Sequence, residues 1–173
     1  MENPALTLYK PKTLTLLGKG SQGSVYQHPD DDKRVIKISK NTSVDKEHYT
    51  IFLPAIQKLY KWINPTYEYY ISPDDNKVYE VQRMVNQTAS DLPKSINLCI
   101  LLLKFLTIVD KSKICHSDLW LGNIGVTTTS TSPSVSDLVL IDTAELHTKT
   151  TGAKNKKCKD IYSMLVSLFD VLV

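Results

Sequence analysis

Glycine is the residue this sequence withholds. There are six in 173 positions, where about twelve would be expected at the usual frequency of roughly 7%. Cysteine is almost as sparing. Cys99, Cys115 and Cys158 are odd in number and show no C-x-x-C spacing, which argues against a disulfide framework and against a zinc knuckle. An excess of one charge is missing too. Lys and Arg number 21 against 18 Asp and Glu, for a net charge of +3, far from the basic surplus of a dedicated nucleic-acid binder. No apolar stretch reaches the ~20 residues that a bilayer span needs, and the most apolar run, Ile96 to Val109, is interrupted by Lys104. Met1 to Lys10 has no apolar core of signal-peptide length. These absences give the expectation of an intracellular chain, cytoplasmic or nuclear, with no nucleic-acid and no membrane partner. No internal repeat is visible, and a hydrophobic content of 42% is enough to build a core.

The glycine that is present falls in clusters. Gly18, Gly20 and Gly23 lie within six residues, Gly122 and Gly125 within four, and Gly152 stands alone. A chain that rations its most permissive residue in this way marks the places where its backbone is asked for something unusual.

The first third reads as strands: Thr13 to Leu17, Ser24 to His28, a turn at Pro29 to Asp32, then Arg34 to Ser39. In the last of these Ile36 and Ile38 share one face, and Val35 and Lys37 the other. Asp45 to Trp62 reads as a helix with Thr42 as N-cap and Asp45 as its capping-box partner. Pro54 must end, kink or restart it. Tyr67 to Ile71 and Lys77 to Val85 form a hairpin pattern around residues 72–76. Beyond Pro93 the period changes. Ile96 to Val109 is apolar nearly all round and predicts a buried central helix. Short apolar pieces follow at Ile114-Cys115, Ile124 to Val126 and Leu138 to Ile141, the last two separated by a Thr/Ser loop over 127–137. Asp160 to Leu172 has helical apolar spacing. Strands first and helices after predict two lobes in an α+β chain, 1–85 and 86–173.

Two motifs carry chemistry. Gly18-Lys19-Gly20-Ser21-Gln22-Gly23-Ser24-Val25 is G-x-G-x-x-G-x-V. A dinucleotide-binding turn would need a helix after the third glycine, whereas Ser24 to His28 alternates as a strand. A glycine hairpin between two strands lays backbone N–H groups close over a phosphate chain. A mobile surface hairpin is the plainer alternative. Fourteen residues past Gly23, Lys37 sits on a strand face from which its ammonium reaches phosphate oxygens beneath that hairpin; a surface lysine on an edge strand is the ordinary alternative. The second motif is His116-Ser117-Asp118-Leu119-Trp120-Leu121-Gly122-Asn123, or H-x-D-L-x-x-x-N. Asp118 is placed to orient an attacking hydroxyl and accept its proton. Asn123 offers a neutral oxygen to a metal ion, and Asp142, at the end of the apolar strand Leu138 to Ile141, offers a carboxylate. Hard oxygen donors of this kind suit magnesium bound together with substrate phosphates. Each residue alone has a structural role as its commoner use: a cap, a turn, a strand end. All of them in this order, behind a glycine hairpin and a strand lysine, make a much more specific pattern.

On these motifs the chain resembles the protein-kinase superfamily over nearly its whole length. The resemblance implies a two-lobed fold, with an antiparallel β-sheet plus one helix in the N-lobe and a reduced, mostly helical C-lobe that ends at its central helix. It implies ATP and Mg2+ as cofactors. Gly18, Gly20, Gly23 and Val25 would cover the nucleotide, and Lys37 would pair with its phosphates. Met84 and Val85 would lie in the adenine-binding hinge around Arg83 to Val85. Asp118 would be the base, and Asn123 and Asp142 the metal ligands. Glu47, on the first helix after the lysine, is the candidate partner of Lys37. His116 supports the catalytic loop, and Asp160 buttresses it from below.

Several positions depart from the family pattern. Ser117 replaces the arginine of H-R-D, which predicts activity that needs no phosphorylated activation loop. Trp120 stands where Ser/Thr kinases carry a lysine, and the H-x-D-L-W-x-G-N wording is also similar to small-molecule kinases acting on fructosamines. Asp142-Thr143-Ala144 replaces D-F-G. Asp142 and Asp160 are 18 residues apart, which leaves little activation loop. Lys154, Lys156, Lys157 and Lys159 form a basic segment there. Three functions therefore stay open: a serine/threonine-protein kinase, a kinase with a small-molecule acceptor, and a kinase-like binding module whose last helix is covered by a partner protein or a second copy of the chain.

Overall fold

Side chains that alternate between two environments build a sheet, and the first part of this chain alternates. A computed structural model describes residues 1–20, 23–40 and 46–148. The expectations placed on Thr42, Asp45, Gly152, the lysines of the 153–159 segment, Asp160 and the helix over 160–172 lie outside the described residues. The chain divides into two compact units, Met1–Met84 and Val85–Val173.

In the first unit β1 (Leu16–Lys19), β2 (Gly23–Gln27), β3 (Arg34–Lys40), β4 (Thr66–Ser72) and β5 (Lys77–Arg83) form one antiparallel sheet in the order β1-β2-β3-β5-β4. The period-2 rule sorts its two faces. Ile36, Ile38, Tyr79 and Val81 bury against Leu6 on one face. Val35, Lys37, Glu80 and Gln82 lie on the other, since Val35 opposes Gln82 and Lys37 opposes Glu80.

Leu6 comes from an N-terminal segment that has no periodic signal in the sequence. It sits in a 3-10 turn, Pro4–Leu8, whose start is held by Asn3: the Asn3 side-chain oxygen accepts the Ala5 N–H at 3.0 Å. The same segment runs beside β4. The Asn3 N–H donates to the Tyr69 carbonyl at 2.7 Å, and the Tyr69 N–H donates to the Met1 carbonyl at 2.9 Å. An edge strand left bare invites pairing with another chain, and here the N-terminus occupies it.

The second face of the sheet is met by the helical segment that follows β3. Tyr49 from that segment stacks on Tyr69, with ring centroids 4.8 Å apart and planes 15° apart. Pro54 shapes the segment. It has no N–H to donate and its ring crowds the carbonyl four residues back. The helix therefore widens into a π turn over His48–Phe52, where the Leu53 N–H reaches the His48 carbonyl, and restarts as α1 (Leu53–Leu59) with Pro54 in its first turn. It stops at Leu59 rather than at Trp62. The β4–β5 hairpin turns over residues 73–76, with Asn76 at φ 51°, a left-handed conformation that asparagine tolerates better than most residues. Below it the Tyr79 hydroxyl donates to Asp75 Oδ2 at 2.9 Å. Burial, together with that carboxylate, pushes the Tyr79 phenol up to about 12.

The second unit corrects the expectation of a mostly helical lobe. Its described residues hold one α-helix, α2 (Ile96–Lys111), and five short strands: β6 (Gln87–Thr88), β7 (Ile114–His116), β8 (Ile124–Val126), β9 (Leu138–Leu140) and β10 (Leu146–Thr148). β6, β8 and β9 make one antiparallel sheet, and β7 pairs with β10. The reason is length. β7, β8 and β9 are pieces of three residues, all buried and, His116 apart, apolar, too short for a helix and bounded by turn residues. Helix α2 is also less enclosed than its composition predicts. The Ser95 hydroxyl caps it by accepting the Leu98 N–H at 3.2 Å. Leu98, Leu102, Phe105 and Val109 are buried, while Ile96, Ile100, Leu103 and Ile108 are exposed. A helix packed on strands from one side buries one stripe, whatever the other side is made of. Among the described residues no helix is long and apolar enough to cross a membrane.

Candidate functional site

In the first unit the sheet lines up the residues expected to meet phosphate. Gly18 opposes Val25 across β1–β2, and Val25 opposes Lys37 across β2–β3. The glycine hairpin closes with the Gly20 N–H donating to the Gly23 carbonyl at 2.9 Å. The three glycines are not equivalent. A Cβ on Gly23 would stand 2.5 Å from the Ile38 carbonyl oxygen and 2.8 Å from the Ser39 Cα, while a Cβ on Gly18 meets nothing within 4 Å. Gly23 is therefore glycine because β3 passes too close for a side chain. Gly18 keeps open space above the sheet.

Lys37 is half-buried on central strand β3, between Val25 on one side and Glu80 on the other. Glu80 is 0% exposed, and the Gln82 amide donates to its Oε1 at 3.0 Å. Glu47, expected from the resemblance to serve Lys37, is exposed at the start of the helical segment. Met84 ends the unit, its N–H donating to the Lys33 carbonyl at 2.8 Å. Just before it, Arg83 is fastened to buried Asn64. The Arg83 Nε donates to Asn64 Oδ1 at 3.3 Å, and Asn64 Nδ2 donates to the Arg83 carbonyl at 2.9 Å.

In the second unit a single turn and a strand end bring together His116, Asp118, Asn123 and Asp142. β7 delivers His116 into the interior, where it is buried. Its Nδ1 accepts the Asp118 N–H at 3.2 Å, so Nε2 carries the proton and donates to the Asp142 carbonyl at 2.8 Å. One imidazole thus ties the backbone of both aspartates. Leu119 is buried and anchors the turn, while Asp118 next to it is exposed.

Asn123 provides the second tie. It closes a 3-10 turn, Leu121–Asn123, and its own N–H donates to the Trp120 carbonyl at 2.9 Å. Its Nδ2 donates to the Asp118 carbonyl at 2.8 Å and to Asp118 Oδ2 at 3.2 Å. Its carbonyl accepts the Ile141 N–H at 3.1 Å, one residue before Asp142. With both amide protons spent on Asp118, the Asn123 side-chain oxygen lies outside those bonds. Asp142 precedes the 3-10 turn Thr143–Glu145, and its carboxylate does not cap that turn.

The remaining members of this segment are shaped by close packing. The indole of Trp120 lies over Gly122, where any Cβ would run into the ring, and Trp120 is 52% exposed. A Cβ on Gly125 would stand 2.6 Å from Ile141 Cγ2 and 2.7 Å from Val85 Cγ1, so Val85 packs on β8. Ser117 Oγ lies 3.4 Å from His147 Nε2 on β10.

Asn123 and Asp142 supply hard oxygen donors. No group of three or more His, Cys, Asp or Glu side chains that could hold a metal ion is present among the described residues. Such a donor set fits magnesium that arrives with phosphate oxygens and keeps its waters; it does not fit a zinc or calcium cage built from protein alone. The chain matches no protein-family model and no curated protein.

Sequence reasoning missed Glu80. The signal was available: a lone carboxylate flanked by apolar residues in Val78-Tyr79-Glu80-Val81. It also missed the Asn64–Arg83 clasp, which joins residues 19 apart and has no local pattern.

Proposed function

We propose that the chain is an ATP- and magnesium-dependent phosphotransferase of the protein-kinase type that acts on a protein Ser or Thr hydroxyl. The observation that carries this reading is the double tie among Asp118, Asn123 and Asp142, through the His116 ring and the Asn123 amide. An exposed carboxylate on a hydrogen-bonded turn, tied through the backbone to two residues that carry oxygen donors, suits in-line transfer of a phosphoryl group, where catalysis is mostly positioning and charge neutralisation. In this role Asp118 orients the acceptor hydroxyl and takes its proton. The acceptor oxygen bonds to the γ-phosphorus as the bond to the β–γ bridging oxygen breaks, and ADP departs with that electron pair. Asn123 and Asp142 hold magnesium, which when bound neutralises charge on the phosphates. The Gly18–Gly23 hairpin and Lys37 are assigned the nucleotide phosphates, and Met84 and Val85 the adenine side.

The exposed indole of Trp120 favours a second reading for the acceptor. It stands two residues from Asp118 and offers a flat apolar surface, which suits a small hydroxylated molecule as well as a peptide.

A thermal-shift assay with ATP and magnesium tests the core of the proposal. Wild type is expected to be stabilised, by about 2.7 kcal/mol at a hundredfold excess over Kd. Lys37→Ala and Asp142→Ala should lose most of that response. Transfer from labelled ATP should then vanish in Asp118→Asn, and a panel of protein and small-molecule acceptors separates the two readings. No nucleotide response in wild type refutes both.

A further inference from the structure

We infer that Glu80 on β5, rather than a glutamate of the helical segment, is the counter-carboxylate that positions the Lys37 ammonium; this rests on the phosphate-binding role proposed for Lys37. Four observations carry it. Lys37 and Glu80 are directly opposed partners in the β3–β5 ladder, on the same face of the sheet, and side chains so paired have Cβ atoms about 4.5–5.5 Å apart. Glu80 is completely buried, and an ionised carboxylate in that setting requires an opposite charge and hydrogen bonds to be tolerable. Gln82, two residues on and on the same face, donates to Oε1 at 3.0 Å. Glu47 is exposed, where a carboxylate has water as partner and needs no lysine.

The placement has a consequence for regulation. β3 and β5 are joined by seven consecutive register pairs, Arg34↔Arg83 to Lys40↔Lys77, so lysine and carboxylate sit in one rigid element. A helix-borne glutamate swings away when its helix moves. A strand-borne one does not, and Lys37 stays aligned whatever the helical segment does. The ammonium has three donors, enough to serve Glu80 and a phosphate together. Glu80 acts through Lys37 and is a positioning residue.

Two measurements on the full chain test this. The first is a double-mutant cycle on the unfolding equilibrium with Lys37→Met, Glu80→Gln and the double variant, beside a matching Lys37–Glu47 cycle using Glu47→Gln. The Lys37–Glu80 cycle should show coupling of tenfold or more in the unfolding constant, and the Lys37–Glu47 cycle less than twofold. The second is calorimetric binding of ATP with magnesium. Glu80→Gln should raise Kd tenfold or more, Glu80→Asp should recover part of the loss, and Glu47→Gln should change Kd less than twofold. If Glu80→Gln does not fold, the pair Lys37→Met with Glu80→Met should restore folding, because both charges are then gone; failure to restore it overturns the inference. An additive Lys37–Glu80 cycle in a chain that binds nucleotide overturns the inference alone, as does loss of binding on Glu47→Gln but not on Glu80→Gln. A coupled cycle in a chain that binds no nucleotide overturns the phosphotransferase reading, and the positioning role with it.

Discussion

Replacing His116 with phenylalanine removes the ring nitrogens and keeps a ring. The substitution strands two partners, the Asp118 N–H and the Asp142 carbonyl, which the imidazole holds at 3.2 and 2.8 Å. Leaving a polar group unsatisfied costs about 1–3 kcal/mol when it is buried. These two bonds are partly buried, so the lower end applies, and the slightly larger ring in a buried site adds up to about 1 kcal/mol of strain. The sum is about 2–3 kcal/mol. For a chain of 150–250 residues each kcal/mol moves Tm by about 2–4 °C, so the melting temperature should fall by about 4–12 °C. Hydrogen exchange followed on peptides covering 114–124 gives the local reading: the Asp118 amide loses its acceptor and should exchange at least tenfold faster. His116→Gln is the control, because its side-chain oxygen accepts from Asp118 while its amide donates to Asp142, and it should recover a good part of both effects. A phenylalanine variant that melts within about 2 °C of wild type and keeps Asp118 protected would show that the imidazole does not hold the two aspartates. The structural basis for grouping them would then be gone.

Two further perturbations test the sheet. Gly23→Ala forces a methyl group against the Ile38 carbonyl and the Ser39 Cα and should destabilise by about 1–3 kcal/mol, the usual cost of overpacking. Gly18→Ala, with nothing within 4 Å, should stay within about 0.5 kcal/mol of wild type; urea melts that rank the two alike would refute the close approach of β2 and β3. Tyr79 offers a pH test. Its phenol is raised from 10.0 to about 12 by burial and by Asp75, so folding favours the protonated form. The stabilisation is fully present below the unfolded value near 10 and is lost as pH rises through about 12. Tyr79→Phe should remove that alkaline dependence, read as the difference in Tm between the two proteins from pH 8 to 12. An unchanged slope would place the titrating group elsewhere.

How much of this was legible in the sequence differs between the two units. In the first, alternation located β2 and β3 within a residue or so, and it put Ile36 and Ile38 opposite Val35 and Lys37, because a strand has a period of two and little else to vary. Pro54 announced a break, and the π turn before α1 is the form the break takes. Leu6 and the N-terminal pairing with β4 were not legible, since a 3-10 turn and a single strand bridge leave no periodic trace. In the second unit the apolar pieces at Ile114-Cys115, Ile124 to Val126 and Leu138 to Ile141 were visible, but their pairing was not. Register between strands far apart in the chain depends on which faces can be buried together.

The sequence alone determined which chemical groups are present and how they are spaced: the glycine hairpin, a lysine on a strand face, and H-x-D-L-x-x-x-N followed by a strand ending in Asp142. Local propensity and short spacing are enough for that. Tertiary structure decided what those groups are tied to. His116 and Asp142 are 26 residues apart, Lys37 and Glu80 are partners only across the β3–β5 ladder, and whether a carboxylate is exposed like Glu47 or buried like Glu80 depends on what packs over it. Burial and long-range pairing are properties of the folded chain, and they set the electrostatics on which any chemistry here depends.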